Sequence, residues 1–388
     1  MKEGVIEVGP ATVRGSIDIP AHLVSAALDH LDDDIALVDD HPVAVEAVWR
    51  ELFRAALPDR LETAVLICPT WWSPLRIERI REAAAIRAAN VVVRHRAELL
   101  AQQVAGNPTV VEIASDLWAV SREGQVVSAK PRLGENADVI DAVIDEISTA
   151  TMVLVDAPVG VAGAVEVADA IAGGLRANGV TAMTIRQDRV LAAARQPPTP
   201  PPRPAGRPRR AMPRTMVSAV LVAVVLLWVV GLGADTEPAG LRTDEVPMTL
   251  LVEGRVALKV PALWAVRRIS SGPGSARVEV SAPDSSAAVL VTQSQVRKRE
   301  ALSRTAATLR SALDDQPAGV FRDFNPADRR ADRAAVTYRE IRDGREIDWV
   351  VFVDEAVRIG IGCQRASDEE HVVNRPCEEA VRSAHALF

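Results

Sequence analysis

The sequence predicts a multi-domain membrane protein, with an N-terminal α/β domain, a single transmembrane helix and a C-terminal α+β sandwich. Three observations predict it. Residues 215–234 form a 20-residue uncharged run rich in Val, Leu and Ala, which at about 1.5 Å per residue matches the ~30 Å hydrocarbon core of a bilayer. Before that run, short apolar stretches alternate with stretches of helical period, the pattern of a sheet with helices on its faces. Beyond it, strand-like stretches alternating apolar and polar residues dominate.

These boundaries divide the chain into an α/β domain at 1–194, a Pro/Arg-rich linker at 195–214, the span at 215–234 and a second domain at 235–388. Arg203, Arg207, Arg209, Arg210 and Arg214 precede the span, and Asp235 and Glu237 follow it. Basic residues beside a span stay on the cytoplasmic side, so the N-terminus is expected in the cytoplasm and the C-terminus outside the cell (inner) membrane. The alternative for the run is a buried core helix, against which its length and its basic flank argue. A cleaved signal peptide is excluded by its position. Pro197, Pro198, Pro200, Pro201, Pro202, Pro204, Pro208 and Pro213 make the linker a semi-rigid spacer, and its arginines suit an anionic lipid surface.

The chain carries a net charge of −7, and acidic residues outnumber basic ones in 1–194. That balance argues against nucleic acid as a partner, because phosphate binding needs a basic surface. Cys68 stands alone on the expected inner side. Cys363 and Cys377 lie together on the expected outer side, where oxidants favour a disulfide over two free thiols. His371 and His385 add too few ligands for a zinc site, so no metal is assigned.

In the N-terminal part, Val5 to Val8 reads as a short strand. Ala44 to Leu57 reads as a helix with Val45, Val48, Trp49, Leu52 and Phe53 on one face. Ala64 to Cys68 is a buried strand, and Ser73 caps a helix from Pro74 to Ala89 with proline at its first position. Val91 to Val93 is a strand and Ala97 to Val104 a helix. A meander follows at Val110 to Ile113, Trp118 to Ser121 and Gln125 to Ser128. The remaining elements are a helix at Ala137 to Ile147, a strand at Met152 to Val155, a helix at Val165 to Asn178 and a strand at Ala182 to Ile185. The acidic run Asp29 to Asp40 lacks calcium-loop spacing and reads as a solvated loop. Trp71 and Trp72 form an aromatic pair at a turn, a possible partner contact, with core packing as the other reading.

Ala64-Val-Leu-Ile-Cys-Pro-Thr-Trp-Trp-Ser-Pro, the helix from Arg79 and Arg94-His-Arg-Ala-Glu-Leu-Leu-Ala together resemble the DnaK-type chaperone ATPase over most of residues 1–160. The resemblance implies an actin/DnaK-like, ribonuclease-H-like fold. It does not carry the nucleotide chemistry over. The first phosphate loop would fall on Glu7-Val8-Gly9-Pro10-Ala11, where Pro10 has no N–H to donate. The second would fall on Glu112-Ile113-Ala114-Ser115-Asp116-Leu117, which lacks the glycines and sets Asp116 against phosphate. The adenosine-side pair would fall on Asp156-Ala157. The expectation is a pseudo-ATPase with no cofactor, with weak nucleotide binding as the alternative.

In the C-terminal part, Met248 to Glu253 and Arg255 to Val260 read as a hairpin about Gly254, and Arg277 to Ser281 and Val289 to Ser294 as strands. Glu300 to Leu313 reads as an amphipathic helix. Ala335 to Ile341, Ile347 to Asp354 and Ala356 to Cys363 form a three-stranded meander, and Asp368 to Leu387 a terminal helix. Pro261-Ala-Leu-Trp-Ala-Val, Ser271-Gly-Pro-Gly-Ser-Ala-Arg-Val, Phe321-Arg-Asp-Phe-Asn-Pro, Ala335-Val-Thr-Tyr-Arg-Glu and Ile359-Gly-Ile-Gly-Cys-Gln resemble the C-terminal domain of the type VII secretion-associated proteins of actinobacteria. That resemblance implies a link to an ESX-type secretion machine and partners among its membrane proteins. No nucleophile–base pair stands out in either part. The expected function is therefore a non-enzymatic accessory or scaffold protein, with a single-span signal transducer or a residual ATP-binding protein as alternatives.

Overall fold

The computed structural model describes residues 3–38, 41–57, 59–132, 136–185, 190, 194, 246–269, 277–283, 287–297, 302–342, 344–365 and 370–387. The spacer at 195–214, the apolar run at 215–234 and most of the block that begins at Ser271 lie outside them.

The N-terminal part forms β1 (Glu3–Val8), β2 (Val13–Arg14), α1 (Ala21–Asp29), β3 (Ile35–Val38), β4 (His41–Ala44), α2 (Val45–Ala56), β5 (Leu61–Cys68), α3 (Pro74–Ala84), β6 (Ala88–His95), α4 (Arg96–Ala101), β7 (Thr109–Ile113), β8 (Leu117–Arg122), β9 (Gln125–Pro131), α5 (Asn136–Ile147), β10 (Met152–Asp156), α6 (Ala164–Ala177) and β11 (Thr181–Ile185). One sheet has the order β2-β1-β5-β6, with β1, β5 and β6 parallel. A second has the order β11-β10-β7-β8-β9, with an antiparallel meander followed by parallel β10 and β11.

Local sequence explains these elements. In α2 the apolar side chains fall at helical spacing, and Val45, Val48, Trp49, Leu52, Phe53 and Ala56 are all buried. Ser73 caps α3 by accepting the Arg76 N–H at 3.4 Å, and Pro74 occupies the first turn. The acidic run is not one solvated loop. It ends α1 and enters the β3–β4 hairpin, which pairs Ile35 with Ala44 and Val38 with His41.

The C-terminal part forms β12 (Met248–Glu253), β13 (Val256–Pro261), β14 (Ala265–Ile269), β15 (Arg277–Ser281), β16 (Ala288–Gln295), α7 (Leu302–Asp314), β17 (Phe321–Arg330), β18 (Arg333–Arg342), β19 (Arg345–Asp354), β20 (Val357–Arg365), α8 (Glu370–Ser383) and β21 (His385–Ala386). The expected three-stranded meander is the centre of a seven-stranded sheet, β14-β15-β16-β20-β19-β18-β17. Its helices lie on opposite faces. Val373, Cys377, Ala380 and Val381 of α8 pack with Val289, Val350, Ile359 and Ile361, whereas Ala306 of α7 packs with Val336 and Val351. Because side chains alternate along a strand, Val350 and Val351 face opposite ways. Cys363 and Cys377 are disulfide-bonded, with Cα atoms 5.8 Å apart, and tie β20 to α8.

The membrane architecture is overturned. Residues 1–196 and 247–388 cluster as one compact unit. A single hydrophobic cluster contains Trp49, Leu52 and Trp72 from the N-terminal part and Val252, Ala257 and Leu387 from the C-terminal part. The ring of His385 lies 2.7 Å from the Ala129 carbonyl oxygen, and Arg268 donates to the Asp32 carbonyl at 2.8 Å. A bilayer cannot divide a shared core, so the two parts do not lie on opposite sides of a membrane. With the expected cytoplasmic and extracytoplasmic division falls the actin/DnaK-like domain standing apart from an α+β sandwich: the fold is one mixed α/β unit. Among the described residues no helix is long and apolar enough to cross a membrane, so the single-pass transmembrane description is withdrawn.

Candidate functional site

Two ionic assemblies organise the polar interior. The first lies where β1, β7 and β10 end. Arg96, the first residue of α4, is 1 % exposed, and Glu7, Glu112 and Asp156 are buried around it. Its Nε and Nη2 donate to the two oxygens of Asp156 at 2.7 and 2.9 Å, and its Nη1 donates to Glu7. The other Glu7 oxygen accepts from Arg14 Nη2 at 2.7 Å. Both oxygens of Glu112 share the Thr70 N–H, at 3.1 and 3.2 Å, while Thr70 Oγ1 accepts from the Ala97 N–H at 2.9 Å.

Burial and the neighbouring Asp156 charge push the Glu112 carboxyl up to about 7, against the opposing pull of the Thr70 hydrogen bonds and Arg96. Burial alone would disfavour the Arg96 charge, but Asp156 and Glu7 outweigh it and hold the guanidinium charged. Cys68 is free and buried. Burial pushes its thiol far up, so no thiolate is available as a nucleophile.

The resemblance to the chaperone ATPase pointed to Glu7, Glu112 and Asp156 as loop positions, and the fold brings all three together. What the sequence reading missed is Arg96 as their common partner. Its only local signal is an arginine at the first position of the short helix after β6. Among the described residues, no group of three or more His, Cys, Asp or Glu could hold a metal ion.

The second assembly lines a cleft of about 1250 Å³. One wall carries Trp71, Trp72, the Pro10–Arg14 segment, α1 and Ala114 to Asp116. The other carries the β12–β13 turn, Arg268, Val278, Val291 and Gln293. Trp71 and Trp72 are 8 % and 5 % exposed and join the hydrophobic cluster with one edge on the cleft. Gly9 makes room for Trp72: its φ is +82°, and a Cβ there would lie 2.5 Å from the indole ring.

A row of alternating charge crosses this cleft. Arg76 grips Asp32 through Nε at 2.9 Å and Nη2 at 2.5 Å, with its guanidinium 5.2 Å from the Trp71 ring centroid. Arg268 lies 3.7 Å from the same carboxylate and donates to Glu253 Oε1. Burial raises the Asp32 carboxyl, but the bond to Arg76 and the charges of Arg76, Arg268 and Arg79 outweigh it and hold it below the ordinary carboxylate range. The row ends unsatisfied. Glu253 is 2 % exposed, and its Oε2 is buried without a hydrogen-bond partner among the described residues, as is Nε of Arg277. Gln293 secures the turn that carries Glu253, accepting from the Arg255 N–H at 2.8 Å and donating to the Glu253 carbonyl at 3.0 Å.

No protein-family model matches the chain, and no curated protein sequence matches it. Among solved structures, the solution structure of cyanobacterial PsbP (CyanoP) from Synechocystis sp. PCC 6803 covers 40 % of this chain and 98 % of its own, at 13 % identity and a TM-score of 0.28. LpqN, a protein involved in cell envelope biogenesis of Mycobacterium tuberculosis, covers 37 % of this chain and 86 % of its own, at 13 % identity and a TM-score of 0.25. A crystal structure from Bacteroides thetaiotaomicron VPI-5482 covers 34 % and 44 %, at 11 % identity and a TM-score of 0.24. Overlays this weak carry no functional argument.

Proposed function

We propose that this protein is a non-enzymatic accessory protein of a type VII secretion system, acting by binding other components of that machine. The secretion link is carried by the sequence blocks from Pro261 to Gln364. The non-enzymatic part is carried by one observation: the carboxylates at the ends of β1, β7 and β10 converge on an internal guanidinium. A cation held there covalently by the chain takes the place in which a dissociable metal would have to sit, and nucleotide phosphates need that metal or free backbone donors. Pro10 supplies no donor, and Asp116 adds repulsion.

Calorimetry of the full chain with ATP and magnesium tests the first half, with no binding heat expected; saturable binding with turnover would overturn it. Affinity recovery of the tagged protein from cells under mild detergent tests the second, with co-recovery of secretion components expected. Their absence across repeated mild conditions would remove the secretion link.

A further inference from the structure

We propose that the cleft is a binding site for an extended cationic peptide segment, whose lysine or arginine side chain is received by Glu253 and whose main-chain carbonyl is received by Arg277. The proposal deepens the reading above that the protein acts by binding other proteins, and rests on that part of it.

Size is the first argument. At about 1250 Å³ the cleft exceeds the roughly 300–1,000 Å³ of small-molecule pockets, and it runs as an open trough between two walls. Chemistry is the second. Buried polar atoms in folded proteins are nearly always paired, yet two unpaired atoms belong to residues of this one lining: an acceptor, Glu253 Oε2, and a donor, Arg277 Nε. A ligand that satisfies both must carry a donor and an acceptor. A peptide does so along its length, with side-chain cations and main-chain carbonyls.

Charge is the third argument. Arg14, Arg76 and Arg268 are each committed to a carboxylate of the protein itself. On the acidic side, Asp33 and Asp34 are exposed beside His30 and Arg79, and half-buried Asp116 has no ion pair among the described residues. The lining holds six carboxylates and five arginines, Arg255 and Arg277 included, so it is acidic by one charge, and that excess favours a cation beside Asp116 and Glu253 over nucleotides and nucleic acid. Between these groups, Val278, Val291, Val357, Leu28 and the edges of Trp71 and Trp72 offer apolar contacts for neighbouring side chains.

The test uses the full chain, immobilised and panned with a random heptapeptide phage library. A synthetic consensus peptide then gives affinities by fluorescence anisotropy. The expected result is enrichment of Lys or Arg at one position beside an aliphatic or aromatic residue, with binding weakened about tenfold or more by Glu253→Gln, which keeps the shape and removes the charge. Arg277→Gln and Asp116→Asn provide second variants, each expected to weaken binding several-fold; neither residue has an ion pair to lose among the described residues. Thermal melts check that each variant is folded. No enrichment, acidic enrichment, or a consensus peptide bound equally by wild type and all three variants would overturn the proposal. So would free spermidine or arginine displacing the peptide at equal concentration, which would mark a small-cation site. A parallel arm with magnesium ATP separates the two readings: ATP turnover beside normal peptide binding sinks only the non-enzymatic reading, and peptide failure without ATP binding sinks only this one.

Discussion

Around Arg96, three carboxylates on three strands close on one buried guanidinium; across the cleft, Arg76, Asp32, Arg268 and Glu253 alternate in an open row. The residue types are the same, and the outcomes differ because of hydrogen-bond capacity. Near Arg96 the donors of the guanidinium, Arg14 and Thr70 engage all three carboxylates, so each has a partner within the protein. In the row the last carboxylate keeps an unused oxygen. A closed cluster holds two sheets together, and an open one retains the capacity to recognise something.

Breaking the closed cluster gives the largest expected effect. Arg96→Met leaves buried carboxylates without their cation and is expected to cost about 3–5 kcal/mol in urea unfolding. Arg96→Lys, which keeps the charge but loses the fork to Asp156, is expected to cost less. A cost near zero for Arg96→Met would mean that the cluster does not hold the sheets.

The next effect is a pH dependence. Glu112 titrates near 4.5 when unfolded and at about 7 in the native state. Between those values the native state keeps a proton that the unfolded chain has released. Stability from this group is therefore full below about 4.5 and falls as pH rises to about 7, by up to about 3 kcal/mol. Glu112→Gln cannot lose a proton and is expected to flatten that slope in unfolding curves taken from pH 5 to pH 8.

In the open row the same kind of change should matter less. Asp32 is half-buried, so Asp32→Ala is expected to cost about 1–2 kcal/mol after allowing for solvent screening. Its depressed carboxyl carries the opposite sign: its contribution is present above the ordinary carboxylate pKa and is lost as pH falls through the native value, which acid unfolding of Asp32→Ala against wild type would register. The smallest effect is expected at Ser73. Ser73→Ala removes the cap one turn before Arg76 and should cost about 1 kcal/mol in the same unfolding measurement.

Much of the local structure was legible before any coordinates. The helical spacing of Val45, Val48, Trp49, Leu52 and Phe53 marked α2. The Ser73-Pro74 pair marked the start of α3, and alternation marked β15 and β16. Elements with weak periodicity were not legible. α1 lies in a segment to which the sequence assigned no element, and β17, with its Pro326 and two register shifts, carries no clean alternation. The cleft could not be seen at all, because Trp71, Asp32, Glu253 and Arg277 come from distant parts of the chain. The apolar run at 215–234 dominated the reading because length and hydropathy are strong one-dimensional signals. They carry no information about whether the segments on either side share a core.

The sequence by itself determined the identity and period of most helices and strands, the Ser73 cap and the pairing of the only two neighbouring cysteines, since each depends on residues close together along the chain. Only the tertiary structure decided that both ends of the chain build one core, that Arg96 gathers Glu7, Glu112 and Asp156, and that Glu253 faces a cleft with one oxygen unused. Those outcomes depend on which surfaces exclude water together, and burial is a property of the packed chain rather than of any segment of it.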